Sequence, residues 1–120
     1  MGRLGGPVSY LGRLSSDRFG RVLRAALEAD GVRLDRAVDT DDPTTLALAE
    51  IDAAGAARYR FYVEGTSAPG LREADADGAA ILCVGTLGLV LEPMATALEA
   101  AVAGAAGSTL VLVDPTAARR

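Results

Sequence analysis

Two short apolar runs separated by a helix-length segment constrain this chain's fold more than any other feature. Ala79 to Val84 and Thr109 to Val113 read as strands buried on both faces. Between them Glu92-Pro93 can open a helix, because proline in a first turn lacks only an N–H that would have no partner there. Met94, Leu98 and Val102 then recur at helical spacing as an inward face, and Gly104 and Gly107 close the helix. Strand, helix and strand make a crossover unit over about 79–114, with parallel pairing and a right-handed connection. The fold class is therefore α/β. Sheets of this kind place ligands beyond the carboxyl ends of their strands, where the chain has Gly85-Thr-Leu-Gly88 and Asp114-Pro-Thr116.

Each of these segments carries two readings. Gly85 and Gly88 either permit close backbone packing or admit a ligand to the backbone. Asp114 either holds a metal or phosphate or opens an ordinary Asp-Pro turn. Gly104-Ala-Ala-Gly107 is read as a helix stop, since a phosphate-binding glycine loop precedes a helix and this one follows it.

Upstream, Val8 to Leu14 reads as a strand and Ser15-Ser16 as its end. Asp17 is placed to cap a helix in which Phe19, Val22, Leu23, Ala26 and Leu27 recur at helical spacing, with Gly31 as its stop. Leu34 to Asp39 forms a further short strand. Residues 41 to 68 then read as two alternating strands joined by a tight Asp52-Ala-Ala-Gly55 turn and closed by a polar Gly-Thr-Ser loop. Arg58, Arg60 and Tyr62 fall on one face of the second strand, and Tyr59, Phe61 and Val63 on the other. The second face needs an apolar partner. The chain's own core is the simplest, with a neighbouring subunit or a ligand as alternatives.

Composition narrows the chemistry. The 120 residues suit one domain, with no histidine, no lysine and a single cysteine. Five aromatic residues leave Leu, Val, Ile and Ala to build the core. A net charge of −4 and the lack of an arginine stripe argue against nucleic acid. Arg21, Arg24 and Glu28 read as a solvated helix face rather than a basic patch. Cys83, inside an apolar run and without histidine, reads as a small buried core residue, which fits a reducing compartment. No stretch approaches the ~18 apolar residues of a membrane span, and the expectation is a soluble, cytoplasmic protein.

The ordered series Leu4-Gly-Gly-Pro-Val-Ser-Tyr-Leu-Gly-Arg, Asp17-x-Phe-Gly-x-x-Leu, Ala29-Asp-Gly-Val, Pro43-Thr-Thr-Leu-Ala, Asp52-x-x-Gly, Tyr59-Arg-Phe-Tyr, Gly65-Thr-Ser-Ala and Val113-Asp-Pro resembles the ribokinase-like (PfkB) sugar kinases, fructokinases above all. The resemblance spans essentially the whole chain. It implies a three-layer sandwich of parallel sheet and helices, carrying a small β-sheet lid that closes over the sugar and often pairs subunits. Thr45 to Ile51 and Arg58 to Val63 would be the lid strands, within about 43–65. Tyr59, Phe61, Gly85 and Thr86 would meet the substrate, and Asp114 would lie near phosphate and Mg²⁺. Relatives that take acidic sugars often carry a basic residue where this chain has Val63, so a neutral sugar or nucleoside is expected.

The same resemblance sets limits. The family's Gly-Gly-x-x-Ala-Asn start would precede Met1. Its Asp-Pro-Asn-x-Arg run is matched only by Asp114-Pro115, with Thr116 and Ala118 at the Asn and Arg positions. Its Gly-Ala-Gly-Asp segment, source of the anion hole and catalytic base, does not occur here, so no catalytic residue is assigned. ATP and Mg²⁺ are implied by the family and not bindable in full by these residues. The expectation is thus one incomplete domain over 1–120, a piece of a sugar kinase that is inactive alone and prone to oligomerise. The alternative is a non-catalytic module whose lid mediates dimerisation or binds a small metabolite.

Overall fold

A computed structural model describes residues 2, 5–105 and 107–115. Thr116 and Ala118 lie outside the described residues. The architecture is mixed α/β, in the order β1 (Val8–Ser9), β2 (Gly12–Ser15), α1 (Arg18–Ala29), β3 (Val32–Arg33), β4 (Ala37–Thr40), β5 (Leu46–Ile51), β6 (Ala57–Tyr62), β7 (Ile81–Gly85), α2 (Met94–Gly104) and β8 (Leu110–Asp114). β1 pairs with β3, β2 with β4 and β7 with β8, all parallel, whereas β5 and β6 pair antiparallel. Parallel pairs need a crossover, and α1 and α2 supply it.

The single strand expected over Val8 to Leu14 is interrupted at Tyr10 and Leu11. Its partner is interrupted too, by a turn in which the Ala37 amide donates to the Leu34 carbonyl at 3.1 Å. Val8 opposes Val32 while Gly12 opposes Ala37, a register slip of one residue that breaks both strands together.

α1 begins where the sequence places it. The Asp17 carboxylate accepts from the Gly20 amide at 2.7 Å, and Gly31 (φ 73°) turns the chain after the C-cap Asp30. Its orientation departs from expectation. Gly20, Arg24 and Leu27 are buried or half-buried, whereas Phe19, Val22 and Leu23 are 55%, 59% and 46% exposed. Arg24, assigned to a solvated face, pairs with Asp39 at the end of β4. The Arg24 side of the helix therefore lies toward the sheet and the apolar stripe away from it. A β-carbon on Gly20 would overlap the Ser15 carbonyl oxygen, so glycine is what lets the helix start rest on β2.

The core gathers Leu71, Leu82, Val84, Ala97 and Leu98, with Leu11, Met94 and Val102 packed against it. Leu98 is buried and Met94 and Val102 half-buried, so the inward face of α2 is as expected. β7 is different. Leu82 and Val84 are buried while Ile81 is exposed, and so is Cys83. α2 covers one face of β7 and, among the described residues, nothing covers the other; hence neither the doubly buried strand nor the buried Cys83 is found. β8 is likewise exposed at Leu110, Leu112 and Val113.

The hairpin forms as its alternation requires. Asp52 Oδ1 accepts from the Ala54 and Ala56 amides, both at 2.9 Å, and Gly55 takes φ 81°. Burial of its apolar face in the chain's own core does not occur: every residue of β5 and β6 is exposed except the half-buried Phe61. The hairpin stands off the parallel platform.

Candidate functional site

The residues expected to touch ligand fall into two groups. At the carboxyl ends of β7 and β8, Gly85 pairs with Asp114. A β-carbon on Gly85 would lie 2.6 Å from Asp114 Cβ and 2.7 Å from its carbonyl oxygen, so close packing alone accounts for this glycine. Gly88 is similar, with Leu98 Cδ1 2.9 Å from the added atom. Thr86 is the residue that packing does not explain. It takes φ 56°, a left-handed conformation that a β-branched residue adopts only at a cost of about 1–3 kcal/mol. It starts a short 3-10 turn over Thr86–Leu89 and is exposed.

Beside these strand ends lies a shallow cleft of about 380 Å³, lined by Val84, Leu89, Leu98, Val113 and the carboxylates Glu92 and Glu99 among others. Glu92 is already engaged, since its Oε2 accepts from the Thr96 hydroxyl at 2.8 Å over the first turn of α2. Among the described residues no group of three or more histidine, cysteine, aspartate or glutamate side chains could hold a metal ion. Asp114 stands at this edge outside any such group, and the described donor set does not fit Mg²⁺–ATP by itself.

The second group is on the hairpin. Tyr59 and Phe61 stack, with ring centroids 6.3 Å apart and planes inclined by 24°. Register puts them on one face with Ala47, Ala49 and Ile51, whose small partners leave the rings uncrowded. Leu46, Leu48 and Tyr62 share the opposite face with Arg58, Arg60 and Glu50. Arg60 and Glu50 approach to 3.8 Å at the surface. Val63 follows β6, and its carbonyl accepts from the Thr66 hydroxyl at 2.7 Å.

A polar crossing at the foot of the hairpin went unmarked in the sequence. Thr44 donates its amide and hydroxyl to Asp17 at 2.8 and 2.6 Å. These bonds, the Thr44 hydroxyl first and the Gly20 amide next, hold the Asp17 carboxyl well below the usual carboxylate range. Arg13 donates to the Ser67 carbonyl at 3.1 Å, to Thr40 Oγ1 at 2.6 Å and to Asp42 at 2.9 Å. Asp17 was legible as a cap, but its partner is 27 residues away, and that of Arg13 is 54. The polar Gly-Thr-Ser loop was the one signal that pointed to this place.

The profile of the pfkB family carbohydrate kinases matches residues 1–119, and the chain belongs to that family. It is 35% identical to fructokinase-1 of Zea mays over 121 residues, covering 94% of this chain and 37% of the maize protein. The fructokinase with bound ATP from Xylella fastidiosa superposes with a TM-score of 0.79 at 26% identity, over 95% of this chain and 37% of that one. The fructokinase of Vibrio cholerae O395, in its fructose, ADP and calcium-bound form, shares the fold with a TM-score of 0.77 at 22% identity, over 95% and 39%. The chain therefore spans well under half the length of the relatives it matches.

Proposed function

We propose that these residues serve ATP-dependent phosphorylation of a neutral sugar, fructose first, by supplying the lid and one part of the platform. The observation that carries this is the hairpin. It stands clear of the core with a stacked Tyr59–Phe61 pair on one exposed face, and apolar ring faces suit the C–H face of a sugar. Thr86 at the strand ends is the second substrate contact, with Asp114 toward the phosphates. Val63, where relatives that take acidic sugars often carry a cation, disfavours an acidic sugar.

Phosphoryl transfer needs a base for the acceptor hydroxyl and donors around the transferring group. The 120 residues contain no Gly-Ala-Gly-Asp segment to supply them. They are expected to phosphorylate no sugar alone. ATP-dependent turnover by the purified chain would refute this.

The lid reading is tested by a chimera in which residues 43–68 replace the equivalent segment of the Xylella fructokinase. Fructose phosphorylation should survive, and Tyr59→Ala with Phe61→Ala should raise KM for fructose about tenfold, the effect of losing roughly 1.4 kcal/mol of contact. An unchanged KM would remove the sugar from this face.

The opposite face supports a second role in the same proposal. Leu46 and Leu48 are 40% and 49% exposed and Tyr62 50%, an apolar patch on an open two-stranded sheet. A second copy of this chain would cover it, in the cytoplasm where ATP is supplied. Sedimentation equilibrium of the chain, with and without Leu48→Lys, is the check, and a monomer in both would overturn pairing through the lid.

A further inference from the structure

The hairpin meets the platform at two legs, and two charged side chains, Asp17 and Arg13, hold them there. The first leg rises from β4 through Asp41 to Thr44. Thr44 is 7% exposed, and both its amide and its hydroxyl donate to the Asp17 carboxylate, which also caps α1. The second leg falls from β6 through Val63 to Ser67. Ser67 is 3% exposed, and its carbonyl accepts from Arg13 Nη1 at 3.1 Å. Arg13 Nη2 reaches back to the first leg, at Thr40 Oγ1 and Asp42 Oδ2. The legs are also joined to each other. The Ser67 amide donates to the Pro43 carbonyl at 2.8 Å, the Ala68 amide to Thr45 Oγ1 at 3.0 Å, and Thr45 and Thr66 hydroxyls meet at 2.7 Å. Beyond this crossing both strands are in solvent.

We propose that Arg13 and Asp17 are positioning residues that fix the angle of the hairpin to the platform, Asp17 holding the first leg and Arg13 bridging both. The geometry stands without reference to a sugar; its consequence for phosphorylation rests on the lid reading above. A two-stranded ribbon whose strands are mostly exposed beyond its foot has its orientation restrained chiefly at the crossing. Hydrogen bonds from ionised groups are stronger than neutral ones, and those here are part-buried. The guanidinium fork matters for Arg13: a planar group can hold a carbonyl, a hydroxyl and a carboxylate at once, where an ammonium is a single point. Gly70 belongs to the device. A β-carbon there would overlap Arg13 Nη1, so glycine keeps the place in which the guanidinium lies.

The test is the orientation of the hairpin in solution, read from residual dipolar couplings of backbone amides in the full chain, with no sugar or nucleotide present. In the wild type, amides of Leu46–Ile51 and Ala57–Tyr62 should share one alignment tensor with those of β2, β4 and α1. In Arg13→Met the hairpin couplings should shrink roughly twofold against an unchanged platform, as expected when a rigid segment becomes hinged. Arg13→Lys should recover part of the loss. Gly70→Ala should reproduce it, because the added methyl displaces the guanidinium while leaving residue 13 intact. The proposal fails if the hairpin keeps the platform's alignment in Arg13→Met and Gly70→Ala, or if hairpin and platform lose order together. Failure of both variants to fold would also overturn it, by placing Arg13 in global stability instead. The fructose chimera fails or succeeds separately, since it reads sugar contact and not orientation.

Discussion

Gly20 and Gly104 both lie in helices, and replacing each by alanine is expected to shift stability in opposite directions. In a helix interior alanine is favoured over glycine by about 1 kcal/mol, largely because it leaves the unfolded chain less freedom to lose. Gly104 ends α2, and among the described residues a β-carbon there meets nothing within 4 Å. The propensity gain is unopposed, and Gly104→Ala should stabilise by about 0.4–1 kcal/mol. Gly20 has the same gain and a larger loss. Its added atom would lie 2.6 Å from the Ser15 carbonyl carbon and on top of the oxygen. Ser15 is 2% exposed and its carbonyl is main chain in β2, so no side-chain rotation relieves the overlap. The start of α1 must move off the strand, which stretches the cap from Asp17 to the Gly20 amide. Overpacking costs typically 1–3 kcal/mol, and a backbone collision belongs at the top of that range. Net of propensity, Gly20→Ala should destabilise by about 2 kcal/mol. Urea denaturation followed by far-ultraviolet circular dichroism measures both; by heating, the shift is roughly 4 °C per kcal/mol. Gly20→Ala at or above wild-type stability would refute the close approach of α1 to β2.

Leu71→Ala removes the most buried large side chain of the core, and a loss of about 2–5 kcal/mol is expected in the same denaturation experiment. A loss under about 1 kcal/mol would mean that the loop after the hairpin is not packed on β7 and α2. The Asp17 carboxyl lies below its ordinary value of 3.8 in the folded chain, so its contribution is whole above that value and is lost as pH falls through and below it. Melting temperature should therefore drop between about pH 4 and pH 2 in the wild type, and less steeply in Asp17→Asn, which starts lower at neutral pH. Parallel acid profiles for the two proteins would assign the acid sensitivity elsewhere.

What could be read in the sequence was what depends on near neighbours. The hairpin, its Asp52 to Gly55 turn and the Asp17 cap rest on patterns that close within a few residues, and all are present. The crossover from β7 through α2 to β8 was equally legible, because two apolar runs around an amphipathic segment leave few other arrangements. Burial was not. A stripe such as Phe19, Val22 and Leu23 shows that a helix has an apolar side without saying what covers it, and here that side faces away from the sheet. Cys83 was misplaced for the same reason: an apolar run gives no hint of whether one sheet face or both is covered. Within the candidate site, alternation put Tyr59 and Phe61 on one face of the hairpin, and only the family resemblance implied that a sugar meets them. The strain at Thr86 and the reach of Arg13 to Ser67 depend on tertiary contacts that no local pattern encodes.

The direction of strand pairing sets an order in time. β1–β3, β2–β4 and β7–β8 are parallel, and each must wait for an intervening segment that contains or adjoins a helix. β5 and β6 are joined by a short turn and need no other part of the chain to find their register. A hairpin closes in about 1–10 μs, whereas parallel pairs carry the entropy of a long loop and form later. The arm would therefore be assembled before the platform that carries it, with Thr44 and Ser67 at its foot already drawn together when β2 and α1 arrive to receive them.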